Sequence, residues 1–241
     1  MKWFKALIYK YRLIRECLRN PGKQNSWTYR KYHPNFDFNG KRVLNLGCGS
    51  TVFRAKNVVN LDQFPGDGVN VTHDLSKTPL PFKDGEFDYI IANHVLEHVP
   101  GWWKCFKELA RIVKVGGYIE VWGSGDGGSS QLGYRDHINV INHCSFMGVR
   151  GTCRNMTNSW EAEEQKNLGF VKDLKILSPT RYIIPNWWWI QILPDGVLNF
   201  MVDHLRNIVT EVGIFFRKEE PLETQKDYIG LLKNREIRND R

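Results

Sequence analysis

Four polar runs in this chain each follow a short apolar run, and their residue types suit the holding of a nucleoside. The first is Gly47-Cys48-Gly49-Ser50, which follows the apolar residues 42–46. Small residues there let the backbone turn sharply and let a ligand approach the main chain closely. A glycine loop alone is weak evidence, because purely structural turns look the same; its weight comes from its place ahead of the other three runs. Asp62 ends the next apolar run, with Gln63 after it, where a carboxylate can accept both ribose hydroxyls of a nucleoside. Asp74 ends a third, suited to an exocyclic adenine amine, with Leu75 beside it. The fourth is Asn93-His94-Val95-Leu96-Glu97-His98.

These residues can act together only if elements bring them to one edge. From residue 40 the rhythm is short apolar strand, loop, helix, with strands expected at 42–46, 58–61, 69–72, 87–92, 118–122, 172–177 and 212–217. The first five are nearly continuous apolar runs, as strands covered on both faces of a parallel sheet should be. A helix is expected over 102–113, closed by Gly116-Gly117, and another over 161–168, ending at Gly169. This alternation predicts an α/β fold, Rossmann-like and doubly wound, with a mostly parallel seven-stranded sheet whose last strand is antiparallel. All four polar runs then fall at carboxyl ends of strands, where open α/β sheets bind ligands.

The charge is unevenly placed. The net charge is +8, yet residues 1–42 hold eleven Lys/Arg against Glu16 and Asp37, a balance of +9, so the rest of the chain sums to −1. The basic character belongs to the extension 1–39 and not to the domain 40–218, which argues against a domain face that tracks a phosphate backbone. Trp3, Phe4, Leu7, Tyr11, Ile14 and Leu18 repeat at helical spacing, and Lys2, Lys5, Arg12, Arg15 and Arg19 fall opposite. That helix either docks on the domain or a second subunit, or lies on an anionic membrane surface. Residues 180–211 are apolar and rich in tryptophan, long for a link between strands, and read as an insertion or lid. Residues 219–241 read as a charged tail. No run of eighteen apolar residues and no secretory signal occurs. Cys17, Cys48, Cys105, Cys144 and Cys153 show no paired spacing, so reduced thiols and a cytoplasmic setting, with possible contact at the inner membrane face, are expected.

The ordered runs resemble the class I S-adenosylmethionine (SAM)-dependent methyltransferases. VLNLGCGS is similar to that family's first motif and VVNLD to its second. HDLSKTPLPFKDGEFDYIIANHVLEHV resembles the third and fourth together, and LARIVKVGGYIEVW the helix and fifth strand after them. The resemblance covers about residues 41–122 and implies SAM as cofactor, with S-adenosylhomocysteine as product. It implies that Gly47, Cys48 and Gly49 line the methionine portion, that Asp62 holds the ribose, that Asp74 and Leu75 flank adenine, and that Asn93 and His94 sit near the sulfonium and carboxylate side. The family usually has an acidic residue where Asn45 stands. An amide can still accept from the SAM amino group, but without charge-assisted strength. The short segment between Gly49 and Val58 implies an abbreviated or absent first helix, as in a subgroup found among enzymes that modify glycans and small molecules.

On the acceptor side, Tyr134-Arg135-Asp136-His137 comes after a Gly/Ser-rich loop, where this fold commonly builds its acceptor pocket. Methyl transfer needs a nucleophile held against the sulfonium and, for a hydroxyl, removal of its proton. His137 is the candidate base and Asp136 its orienter, against a loop histidine that only satisfies backbone. His98 reads as a residue that caps or packs in its helix. His137, His143, Cys144 and Cys153 could be drawn as a zinc set, but no supporting spacing occurs and no metal is expected. No Asn/Asp-Pro-Pro-Tyr segment or Pro-Cys pair of the DNA base methyltransferases is present. The expected function is methyl transfer to an oxygen or nitrogen of a small molecule or glycan. The alternatives are an RNA or polyanion methyltransferase, and a binding module that has lost catalysis.

Overall fold

A computed structural model describes residues 38–124, 133–141, 143–146, 174–176, 182–185 and 208–219, with Tyr11, Arg15 and scattered positions between 189 and 205. Of the helix expected over 2–19, Tyr11 and Arg15 are described, both helical; the helix expected over 161–168 and the tail 219–241 beyond Glu219 lie outside the described residues.

Strands β1 (Val43–Leu46), β2 (Val58–Asp62), β3 (Val71–Thr72), β4 (Phe87–Asn93) and β5 (Val113–Ser124) run parallel in the order β3-β2-β1-β4-β5. Then comes β8 (Val209–Lys218), antiparallel to β5 with Tyr118 opposite Arg217. All four β1 residues are buried, and β4 alternates its faces. Leu44, Leu46, Ile90 and Ala92 join one core cluster, whereas Val43, Tyr89 and Ile91 join the other, with Phe38 and Phe53 packed against it. The sheet is therefore covered on both sides, as its unbroken apolar strands require.

Beyond β8 the edge is shared. β6 (Leu174–Ile176) pairs with residues 216–218 of β8, and β7 (Tyr182–Pro185) pairs with residues 209–213. Among the described residues the expected sheet width of seven is found, with eight strand segments building it. β7 lies in the segment 180–211 read as an insertion or lid. β-branched Ile183 and Ile184 suit a strand, and the free flank of β8 supplies their partner. Farther along that segment, Ile190 and Leu198 are buried in the main core.

Helix α1 (Trp102–Ile112) buries Cys105, Phe106, Leu109, Ala110 and Ile112 along one face. It ends earlier than the glycine pair suggested. Val113 passes straight into β5, and Lys218 Nζ of β8 donates to the carbonyls of Ala110 (2.7 Å) and Val113 (3.0 Å). A cation on the last carbonyls is a favourable helix ending. Gly116 and Gly117 instead lie in an irregularity of β5, where Val113 and Tyr118 face Phe87 and Tyr89 on β4. Gly116 has φ +82°, and a Cβ on Gly117 would stand 2.9 Å from the Asp88 carbonyl.

No helix separates β1 from β2, as expected. Asparagines do its work. Asn45 Nδ2, 3 % exposed, donates to the Thr51 carbonyl (2.8 Å) and to Asn60 Oδ1 (3.0 Å). Asn60 Oδ1 also accepts from Phe53 N, and Asn60 Nδ2 donates to the carbonyls of Phe53 and Gly68. Asn70 Oδ1 accepts from Asn60 N. One buried amide pair thus ties two loops to the sheet and meets the hydrogen-bonding demand that helical backbone would have met internally.

Candidate functional site

The carboxyl ends of β1, β2 and β4 lie side by side, because strand order places β1 between the other two. Gly47 and Gly49 have φ +58° and +49°. A Cβ on Gly47 would fall 2.2 Å from Val95 Cγ2, so the turn admits no side chain there. At Gly49 nothing stands within 4 Å, which leaves its face open. Asp62 binds the loop itself: its Oδ2 accepts from Gly49 N (2.8 Å) and its Oδ1 from Phe64 N (3.0 Å). Each oxygen keeps a further lone pair for a hydroxyl. The carboxylate is thus held in place before any ligand arrives.

Cys48 is buried, and burial followed by the charge of Asp62 pushes its thiol up, so it stays protonated and packs as a small hydrophobe. Gln63 is exposed, and so is Phe64, at 68 %. Asp74 Oδ1 accepts from Ser76 Oγ and Ser76 N, which hold its carboxyl below the usual range and keep it ionised. The Leu75 side chain is buried in the main core, so only its backbone can face a ligand. Both amide hydrogens of Asn45 are taken by the loop lattice, and only its oxygen could serve a ligand. A carboxylate at that position would face the Thr51 carbonyl and Asn60 Oδ1 with no hydrogen to offer.

Asn93 ends β4, and His94 comes next in a left-handed conformation with φ +54°, its N–H donating to the Trp122 carbonyl on β5. Its imidazole is clamped. Nδ1 lies 3.1 Å from Glu97 Oε1 and Nε2 lies 3.1 Å from Glu211 Oε2 on β8. Burial opposes the charge, but the hydrogen bonds to Glu211 and Glu97 outweigh it and raise the His94 pKa to about 9. At neutral pH both ring nitrogens donate, so His94 is no base.

The loop after β5 is fastened to the turn that succeeds β4. Asn139 N donates to the Glu97 carbonyl, and Asn139 Nδ2 to the carbonyls of Leu96 and Val99. This brings His137 against His98, with ring centroids 4.7 Å apart, while Tyr134 stacks on His137 at 5.0 Å. The expected pairing of Asp136 with His137 is not what forms. Asp136 Oδ2 lies 3.2 Å from His98 Nδ1, and its carbonyl lies 3.0 Å from the same nitrogen. Arg135 and Asp136 form a turn, closed by His137 N donating to the Tyr134 carbonyl (3.3 Å), and from it Asp136 reaches the facing turn. His98 accordingly meets Asp136 and His137 rather than capping a helix. The side chains of His143, Cys144 and Cys153 lie outside the described residues.

Sequence reasoning missed Glu97, Glu211 and the contact between His98 and His137. The spacing of three between His94 and Glu97 is a local signal for the first. Glu211 and His137 come from distant strands and loops and leave none.

Residues 44–121 match a family model described as a methyltransferase domain. A demethylmenaquinone methyltransferase from Staphylococcus saprophyticus is 36 % identical over 66 residues, 27 % of this chain and 24 % of that protein. An uncharacterized methyltransferase from Mycobacterium sp. is 43 % identical over 42 residues, 17 % of each chain. The chain thus spans about a quarter or less of the curated relatives it matches. A SAM-dependent methyltransferase structure from Mesorhizobium loti aligns with a TM-score of 0.44 at 15 % identity, covering 74 % of this chain and 91 % of that one.

Proposed function

We propose that this chain, whose residues 44–121 match a methyltransferase-domain family model, is a class I SAM-dependent methyltransferase that transfers a methyl group to an oxygen or nitrogen nucleophile of a small molecule or glycan. The observation that carries the reading is Asp62, fixed at the end of β2 by Gly49 N and Phe64 N with lone pairs to spare for two ribose hydroxyls. Gly47 and Gly49 bring bare backbone beside it, Asp74 stays ionised for the adenine amine, and exposed Phe64 offers an aromatic face. SAM, when bound, supplies an electrophilic methyl on a sulfonium. The protein's part is to orient that group, with Asn93 and the loop 47–49, and to bring the acceptor from the side of Tyr134 and His137.

Calorimetric titration with SAM and S-adenosylhomocysteine tests this. Binding is expected, and Asp62→Ala should weaken it by roughly 1.5–3 kcal/mol for a hydrogen bond to a charged group, about 10- to 150-fold. A folded protein that binds neither nucleoside would sink the reading. Binding without turnover on any acceptor would favour the alternative of a binding module that has lost catalysis.

The +9 balance of residues 1–42 favours a second partner. We assign the basic N-terminal segment to peripheral contact with an anionic membrane surface at the cytoplasmic face, with an RNA or other polyanion as the rival. Among the described residues, no helix is long and apolar enough to cross a membrane.

A further inference from the structure

Glu97, His98 and His137 each present a ligand atom, and these atoms all lie within 4.8 Å of one another. Two of the three residues carry a polar atom that the fold buries without a partner. Glu97 is fully buried, and its Oε2 meets no hydrogen-bond donor; His137 Nδ1 is likewise buried and unpaired. Buried polar atoms are rarely left so, and an ion is one of the few groups that satisfies a carboxylate oxygen and an imidazole nitrogen at once.

The surroundings prepare each atom for that role. Glu97 spends Oε1 on His94, which leaves Oε2 pointing elsewhere. His98 places Nδ1 against Asp136, so the proton sits on Nδ1 and the lone pair on Nε2. A carboxylate behind a histidine ligand is the usual way in which its ring is oriented and its basicity raised. Tyr134 stacks on His137 and fixes its plane. Nothing in a hydrophobic core needs these groups together, and Asn139 holds the two segments in register.

We propose that Glu97, His98 and His137 bind a divalent first-row transition ion, with zinc the best match, beside the acceptor edge of the sheet. Two histidines and one glutamate form a ligand set of catalytic zinc sites, with a fourth position open. Ligands about 2.1 Å from a tetrahedral centre stand roughly 3.4 Å apart, so the cluster contracts by roughly 1 Å per side chain on binding. The proposal rests on the methyltransferase reading for its purpose. An acceptor hydroxyl in the open position becomes more acidic, as zinc-bound water does. Its proton leaves to solvent, its oxygen bonds the methyl carbon, and the carbon–sulfur bond breaks with its electron pair on sulfur. The products are the methyl ether, S-adenosylhomocysteine and one proton. No electron is gained or lost, so a redox-inert ion suffices.

The test uses the untagged full chain, stripped with chelator and titrated with Co²⁺ as an optical probe, then with Zn²⁺ in competition. One Co²⁺ per chain with a ligand-field absorption, displaced by Zn²⁺, is expected. His98→Ala, His137→Gln and Glu97→Gln should each weaken binding at least tenfold, and Asp136→Asn by about 10- to 100-fold through His98. S-adenosylhomocysteine titration and far-ultraviolet circular dichroism on the same samples report nucleoside binding and folding. Wild type that binds Co²⁺ no better than a folded His98→Ala/His137→Gln double variant overturns the metal site, whatever the nucleoside does. Tight Co²⁺ binding with no S-adenosylhomocysteine binding would overturn the methyltransferase reading and leave the site standing.

Discussion

Asn60 spends the whole hydrogen-bonding capacity of its side chain on its neighbours. Its oxygen accepts from Asn45 and Phe53 N, and its nitrogen donates to the carbonyls of Phe53 and Gly68. Asn60→Ala would leave Asn45 and three backbone groups (Phe53 N, Phe53 O and Gly68 O) short of partners where water is scarce. Each buried orphan costs about 1–3 kcal/mol, so a loss of about 3 kcal/mol in urea unfolding is expected. A loss under about 1 kcal/mol would mean that the two loops hold without the lattice. The same lattice takes both amide hydrogens of Asn45 and leaves only its oxygen for a ligand.

At the scale of elements, α1 depends on one carboxylate for its position. Glu108 accepts from Arg111 Nε and Nη2 within the helix and from Leu80 N across the preceding loop, while Arg111 Nη1 reaches the Phe82 carbonyl and Asp84. The hydrogen bonds to Arg111 hold the Glu108 carboxyl below its usual range against the opposing effect of burial. A depressed folded pKa adds stability above the unfolded value, near 4.3 for glutamate, and that stability is lost as pH falls through the folded pKa. Glu108→Gln should therefore cost about 1–2 kcal/mol at pH 7, and its gap from wild type should close in chemical unfolding series taken down to about pH 3. A gap independent of pH would show that shape, and not charge, anchors the helix.

At the scale of the whole molecule, the positive charge and the proposed nucleoside site are separated along the chain. The domain after residue 42 is close to neutral, and the excess positive charge precedes it. Deletion of residues 1–20 should leave SAM binding intact and abolish flotation with vesicles rich in anionic lipid, and salt should weaken flotation of the full chain. Retention of flotation after the deletion would move the membrane contact elsewhere. Loss of binding to RNA in place of lipid would turn the second partner into a polyanion.

Much of this molecule was readable without coordinates, for a physical reason. Strands buried on both faces must be apolar throughout, and residues at their ends must turn, bind or cap, so β1, β2, β4, β5, β8 and the runs at Gly47, Asp62, Asp74 and Asn93 announce themselves locally. The absence of a helix after β1 is equally local, since too few residues separate Gly49 from Val58. Partnership across distance leaves no such mark. The Glu211 clamp on His94, the choice of His98 over His137 by Asp136, the Lys218 cap on α1 and the edge strand β7 each join segments far apart in the chain. Composition and periodicity report what a residue's own element requires; only the packed sheet decides which side chains meet across it.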